Sequence, residues 1–537
     1  MNKSNTFKDI ETNDCTGPES YFTNPILPGF YPDPSICRVG EDYYLVTSTF
    51  SYFPGIPVFH SRDLVNWKQI GHVLDRPTQL DLDDGKHSAG IFAPTIRYNE
   101  GKFYVITTNV TRGGNFIVTA DNPSGPWSEP YWLENAPGID PSLFFDDDGR
   151  AYYVGTNEVS EGGSYYGDNE IYLQELNLNS MSLKGPRYGL WRGALKNAVW
   201  SEGPHLYKID GRYYLMIAEG GTDYHHSVTI ARSSKLTGPY EGNPGNPILT
   251  HRHLGRNCPI VNTGHADLVE TQNGEWWMVA LASRPYGGYF RNLGRETFLA
   301  PVKWEDGWPI VSPGTGRLEF NYKKPALPEG MAEAFPKKDD FDGSQLALIW
   351  NNLRTPRTSF WSLTERKGHL RLRLRPQKIT EKANPSFIGR RQQHMSFTAA
   401  AAMDFQPALE GESAGITLIQ SDEYNIRLEY TLSEGKNILQ LVRCQAGTEE
   451  VIAAEEIKGG SLCLKVMARE QELSFSYGSS EENMTVLAQK VDGRFLSTDV
   501  AGGFVGNYIG MFASSNGKAS VNHADFDWFE YTAKTGE

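Results

Sequence analysis

PSICRVGEDYYLVTSTF, residues 34–50, reads as one β-hairpin. A short apolar run breaks at Val39-Gly-Glu-Asp and resumes as an aromatic-led run. Turn residues between two such runs specify an antiparallel pair. The same phrase returns four times, as PTIRYNEGKFYVITTNV (94–110), PSLFFDDDGRAYYVGTNE (141–158), PHLYKIDGRYYLMIAEG (204–220) and ADLVETQNGEWWMVALAS (266–283). A unit repeated at near-regular spacing marks a ring or an array. The segments VFHSRDLVNWKQIG (58–71), FIVTADNPSGPWSEP (116–130) and VTIARSSKLTGPYEG (228–242) supply two more strands between hairpins. Four strands per unit and five units predict a five-bladed β-propeller, with the first strand of each blade along a central channel.

The start of each inner strand carries the chemistry. Asp33, Ala93, Asp140 and His265 stand three residues ahead of the first aliphatic residue of their strands, and Glu202 stands four ahead. That offset predicts a local twist or bulge before Gly203. Asp33 lies between Pro32 and Pro34. Proline biases the residue before it toward extended backbone, so Asp33 is expected to be extended, with its carboxylate aimed one way. Three carboxylates meeting on one axis disfavour joint ionisation and raise at least one pKa. Such a set is equipped for acid/base catalysis. The alternative is a calcium or hydrogen-bond hub in the channel.

The rest of the chain bounds the reading. Its 537 residues are enough for more than one core, and its net charge of −14 argues against nucleic acid or an anionic membrane as partner. Cys15, Cys37, Cys258, Cys444 and Cys463 are scattered and contain no C-x-x-C pair, which speaks against a disulfide framework or a cysteine zinc site. The first residues contain no apolar run of the secretory kind, and no stretch has the length of a transmembrane span; a cytoplasmic location is expected. KKPALPEGMAEAFPKK reads as a linker. Beyond it, runs such as HLRLRLRP, AGITLIQS, YNIRLEYTL and ELSFSYGS alternate with period two, as in a β-sandwich. The expected layout is an extension over 1–22, the propeller over 23–322, a linker over 323–338 and a concanavalin-like sandwich over 339–537.

NPILPGFYPDPSI, SAGIFAPTIRY, GIDPSLFFDDDGRAYYVG, WSEGPHLYK, GHADLVE and LGRETFLAPV together resemble glycoside hydrolase family 43 across residues 24–310. TSTFSYFPG and GRETF are most similar to its β-xylosidase and α-L-arabinofuranosidase branch. The resemblance implies hydrolysis with inversion, Asp33 as general base, Glu202 as general acid, and Asp140 raising the pKa of Glu202. An inverting pair stands on opposite faces of the sugar, roughly 6.5–9.5 Å apart. The resemblance also implies sugar contacts from Arg295, Phe50 and Phe92. Phe53 reads as wall or blade core. His265 is the place where the resemblance implies a divalent cation, calcium above all, although no cofactor is required. The other readings of His265 are a partner orienting Glu202 or a sugar ligand. His225-His226 and His251-x-His253 read as loop residues. In GGFVGNYIG, Tyr508 is the expected pocket contact from the second domain, with Phe504 the alternative.

The implied activity is release of xylose from non-reducing ends of β-1,4-xylo-oligosaccharides, with α-L-arabinofuranosides as further substrates. A dedicated arabinofuranosidase and a non-catalytic carbohydrate-binding propeller are the rivals. Homo-oligomers are a further implication of the resemblance.

Overall fold

The computed structural model describes residues 20–159, 163–330 and 336–534. Each hairpin forms as read: Ser35–Val39 with Asp42–Val46, Thr95–Asn99 with Lys102–Asn109, Ser142–Phe145 with Ala151–Glu158, Glu202–Ile209 with Arg212–Glu219, and Val261–Glu270 with Trp276–Ser283. Two outer strands complete every unit, giving five four-stranded antiparallel sheets. The inner strand of each blade packs on those of its neighbours around the ring. Apolar residues of adjoining blades fill the space between them: Val46, Val58 and Ile91 pack with Val105 and Val118 between the first two blades, and Val154 and Leu173 with Leu206 and Leu215 between the third and fourth.

The chain's start closes the ring. Tyr21–Thr23 pairs with Asn321–Lys323, and Leu27 bridges Thr297 on the fifth blade. Asn24 Nδ2 donates to the Leu299 carbonyl at 2.8 Å. Tyr21 and Phe22, expected in an N-terminal extension, thus already belong to this closure; residues 1–19 of that extension lie outside the described residues. Residues 331–335 of the expected linker also lie outside the described residues, and Lys338–Asp339 is already paired with Phe529 and Glu530 of the second domain.

A buried polar hub crosses the axis. Asp267 accepts hydrogen bonds from Ser35 Oγ (2.7 Å), Arg97 Nη1 (2.8 Å) and Tyr207 Oη (2.7 Å), and Arg97 Nη2 donates to His205 Nδ1 at 2.8 Å. Four blades contribute. Burial alone would raise the Asp267 carboxyl, but the charge of Arg97 and the hydrogen bonds from Arg97 and Tyr207 outweigh it and hold it well below the usual range. Burial pushes His205 down to about 3, so its imidazole is neutral and free to accept from Arg97. Ser35, His205 and Asp267 stand two or three residues beyond Asp33, Glu202 and His265 along the same inner strands, so the hub crosses the axis below the catalytic candidates.

The second domain is a sandwich of an eight-stranded and a six-stranded sheet. Alternate residues such as Ile416, Leu428, Leu464 and Phe529 meet in one core between the sheets. It is joined to the propeller by backbone as well as side chains: Asn352–Leu353 pairs with Tyr52–Phe53. Among the described residues no helix is long and apolar enough to cross a membrane.

Candidate active site

Four of the five inner strands open on a left-handed residue. Asp33 has φ 54°, Asp140 φ 54°, Gly203 φ 56° and His265 φ 42°. The extended backbone expected at Asp33 is therefore corrected. Proline after a residue disfavours its right-handed helical region without forcing it into the β region. The tertiary bonds then decide: Ser48 N donates to the Pro32 carbonyl at 3.1 Å, and Ser48 Oγ donates to Asp33 Oδ2 at 2.6 Å. A non-glycine residue with positive φ is uncommon and costs energy. Here the kink turns each side chain from the strand toward the axis.

The same kink explains why Glu202 is out of step. In the fourth blade the left-handed residue is Gly203, one position later, and the pairing slips between Glu202–Ala218 and His205–Met216. This is the expected bulge, with Gly203 inside it rather than after it. A Cβ at Gly203 would stand 2.8 Å from His265 Cε1. Gly203→Ala is therefore expected to cost about 1–2 kcal/mol of stability from backbone strain alone. It should also lower kcat/KM at least about tenfold by shifting Glu202. Denaturant midpoints and steady-state rates on the same preparation check both.

Asp33, Asp140 and Glu202 line one cavity of about 460 Å³ together with Phe50, Phe92, His265 and Arg295. Arg295 Nη1 donates to Asp33 Oδ1 at 2.7 Å and to Thr222 Oγ1 at 3.0 Å. Asp33 is thus held by a guanidinium and a hydroxyl, whereas Asp140 and Glu202 feel mainly burial and the field of Asp33, with Glu202 adding to the shift of Asp140. Burial, then the charge of Asp33, pushes Glu202 up to about 8, against the opposing pull of Arg295. Burial, then Glu202 and Asp33, pushes Asp140 well above the usual carboxylate range. One carboxylate paired with a guanidinium beside two raised ones is the asymmetry that acid and base roles demand.

The cavity wall is aromatic. Phe50 lies 5.0 Å from Phe92 and 6.0 Å from Phe504, ring centre to ring centre. Arg295 packs on the faces of both Phe50 and Phe504, 5.4 and 5.7 Å from their centroids. The second domain therefore contributes Phe504, and the expectation of Tyr508 is corrected. Tyr508 is fully buried, stacked on Tyr52 at 3.6 Å between the domains. Phe53 is core, packed between the first two blades. Phe504 is placed from both sides: its N donates to Ser88 Oγ at 3.0 Å, and its carbonyl faces Arg295 Nη2 at 3.4 Å.

Trp200, Thr222 and His226 also line the cavity and were not singled out from sequence. Trp200 has φ 54° and packs near Tyr166; Thr222 anchors Arg295; His226, read as a loop residue, is 1% exposed. They sit on connections between strands, outside the repeated phrase.

Calcium takes about six to eight oxygen ligands. Among the described residues no three His, Cys, Asp or Glu side chains are grouped to hold a metal ion. Burial lowers the His265 pKa, and Asp33, the carboxylate nearest it in effect, is committed to Arg295 and Ser48. These residues do not make a protein-built cation site, and no step is derived through one.

The sequence pattern of Glycosyl hydrolases family 43 matches residues 22–309, and that of the Beta xylosidase C-terminal Concanavalin A-like domain matches residues 338–532. The chain belongs to glycosyl hydrolase family 43. Within family 43, a xylosidase/arabinosidase of Butyrivibrio fibrisolvens is 49% identical over 510 residues, covering 94% of this chain and 98% of the relative. A non-reducing end α-L-arabinofuranosidase of Bacteroides ovatus is 42% identical, covering 95% and 94%. The crystal structure of a xylan β-1,4-xylosidase from Bacillus halodurans superposes with a TM-score of 0.90 at 38% identity, covering 95% of this chain and all of that one. Family 43 membership and the two-domain architecture read from the sequence both stand.

Proposed function

We propose that the protein is an exo-acting, inverting glycosidase that removes xylose from non-reducing ends of short β-1,4-xylo-oligosaccharides and arabinose from α-L-arabinofuranosides. The observation that carries this is the cavity with one carboxylate paired with Arg295 and two held toward the protonated form. A cavity closed below by the Asp267 hub and walled by Phe504 admits a chain end, not a chain middle. In this reading Asp33 takes a proton from water as its oxygen attacks the anomeric carbon. Glu202 gives its proton to the departing glycosidic oxygen as the C–O bond breaks. Burial and the charge of Asp33 keep Glu202 protonated, and Asp140 lies in the same cavity beside it. Phe50, Phe92 and Phe504 pack on the apolar faces of the sugar, and Arg295 holds Asp33 in place. The names of the relatives, xylosidase/arabinosidase and non-reducing end α-L-arabinofuranosidase, support both substrates.

Paired aryl β-D-xylopyranoside and α-L-arabinofuranoside assays, with the product anomer followed by proton NMR, test it. Release of α-xylose from the β-xyloside is the expected result. Retention of configuration removes the roles given to Asp33 and Glu202. Cleavage of arabinoside alone narrows the enzyme to an arabinofuranosidase, and cleavage of neither by folded protein returns the site to carbohydrate binding.

A further inference from the structure

We infer that His226 binds the sugar in the cavity, its Nε2 accepting a hydrogen bond from one hydroxyl of the glycone. The inference rests on the glycosidase reading above and adds a specificity-determining residue to it.

The ring of His226 is pinned from one edge. Its Nδ1 lies 3.1 Å from the Asn262 carbonyl. A carbonyl oxygen only accepts, so the ring proton sits on Nδ1 and Nε2 carries the lone pair. The same edge lies over Gly264, where an added Cβ would come within 2.3–2.4 Å of Cε1, Cγ and Nδ1. The strand Val261–Glu270 therefore leaves the ring no room to turn over, and Nε2 points away from that strand. His226 lines the cavity beside Thr222 and His265. Its Nε2 is buried and has no hydrogen-bond partner in the protein. Buried polar atoms are nearly always paired, and an unpaired acceptor on a residue that lines a ligand cavity marks a bond left for the ligand to complete.

The charge state agrees. Burial pushes His226 down to about 3, with the neighbouring His265 and Arg295 adding to that shift. A neutral imidazole accepts at Nε2 and leaves the field around the acids unchanged; a cation in its place would pull the Glu202 proton off. The three carboxylates are occupied with water, leaving group and each other. His226 Nε2 is thus an uncharged acceptor left free to read a hydroxyl.

The test uses the full-length enzyme and its His226→Phe variant, which keeps a ring against Gly264 and removes the acceptor. An aryl β-D-xyloside and its 2-, 3- and 4-deoxy analogues are the substrates. The variant is expected to lose about 10- to 100-fold in kcat/KM on the parent, the size of one lost bond to a buried group. On one of the three deoxy analogues it should match the wild type within about twofold. His226→Gln, whose amide oxygen can accept, should recover part of the loss. An equal loss on the parent and all three analogues would mean a structural role and overturns the inference; so does no loss on the parent. Wild-type hydrolysis of the parent reports separately on the glycosidase reading. Should the Phe variant not fold, a crystal of wild-type protein soaked in xylose decides. A sugar hydroxyl within about 3.2 Å of Nε2 upholds the assignment, and a seated sugar with no oxygen within about 3.5 Å removes it.

Discussion

Glu202→Gln is expected to lower kcat/KM on xylobiose by about 10²- to 10⁴-fold, the usual contribution of a positioned general acid. On a dinitrophenyl xyloside the loss should be far smaller, because that leaving group departs without a proton. Asp33→Ala should cost a comparable factor on both substrates, since each needs its water activated. The contrast separates the roles better than either loss alone. The pH profile gives a second readout. Glu202 acts in its protonated form, and burial together with Asp33 carries its pKa from 4.5 up to about 8. Activity of the wild type on xylobiose should therefore fall as pH rises through about 8, and the variant's residual activity should lack that limb.

The same shift fixes a stability effect of opposite sign. A carboxyl whose folded pKa is raised holds a proton that the unfolded chain releases above about 4.5. Stability then declines as pH climbs from that value toward 8. Glu202→Gln removes this term, so the variant should melt higher than the wild type at pH 8 and closer to it at pH 4.5. A variant that melts lower at pH 8 would contradict the buried, proton-holding environment assigned to Glu202. An unchanged ratio of losses on the two leaving groups would remove its role as acid.

Legibility followed the repeat. Asp33, Asp140, Glu202 and His265 could be aligned because five inner strands begin alike, whereas Arg295 and Phe50 are legible only through the family resemblance of GRETF and TSTFSYFPG. The one-residue slip at Glu202 was visible as a mismatch; its cause, a left-handed glycine taking the place of a left-handed acid, was not. Backbone sign is a tertiary outcome here, set by Ser48 and Pro32 rather than by Pro34. Phe504 and Tyr508 are four residues apart in one segment, and no local pattern says which faces a cavity built by another domain. His226 sits in a His-His pair whose two members differ completely in burial, the second buried and the first exposed. Its signal was indirect: Gly264, next to His265, is the glycine that makes room for its ring.

Arg354→Ala is the largest expected loss of stability, about 3–5 kcal/mol, because it strands a buried charge. Arg354 is 0% exposed and ties the two domains at one point. Its Nη2 meets Asp422 Oδ2 at 2.6 Å and its Nη1 meets Asp422 Oδ1 at 3.1 Å, both within the sandwich domain. Its Nε and Nη2 donate to the Gly85 carbonyl of the propeller at 3.0 and 2.8 Å, and its backbone N donates to Ser51 O at 2.7 Å. Burial would raise the Asp422 carboxyl, yet His87 and Arg354 bring it below its ordinary value. Without Arg354 that carboxylate keeps only His87, 3.7 Å away, and the carbonyls of Gly85, Ala383 and Glu381 lose a donor. Arg354→Met with Asp422→Leu should cost less than Arg354→Ala alone, since no charge is left behind. Urea midpoints of the wild type, Arg354→Met, Asp422→Leu and the double variant measure the coupling; an Arg354→Ala variant within about 1 kcal/mol of wild type would show that the pair does not hold the interface. Activity should follow stability for a geometric reason. The domain that Arg354 anchors carries Phe504 into the cavity and places its carbonyl against Arg295, which in turn fixes Asp33. Loosening that contact should therefore raise KM through the lost aromatic wall and lower kcat through the base.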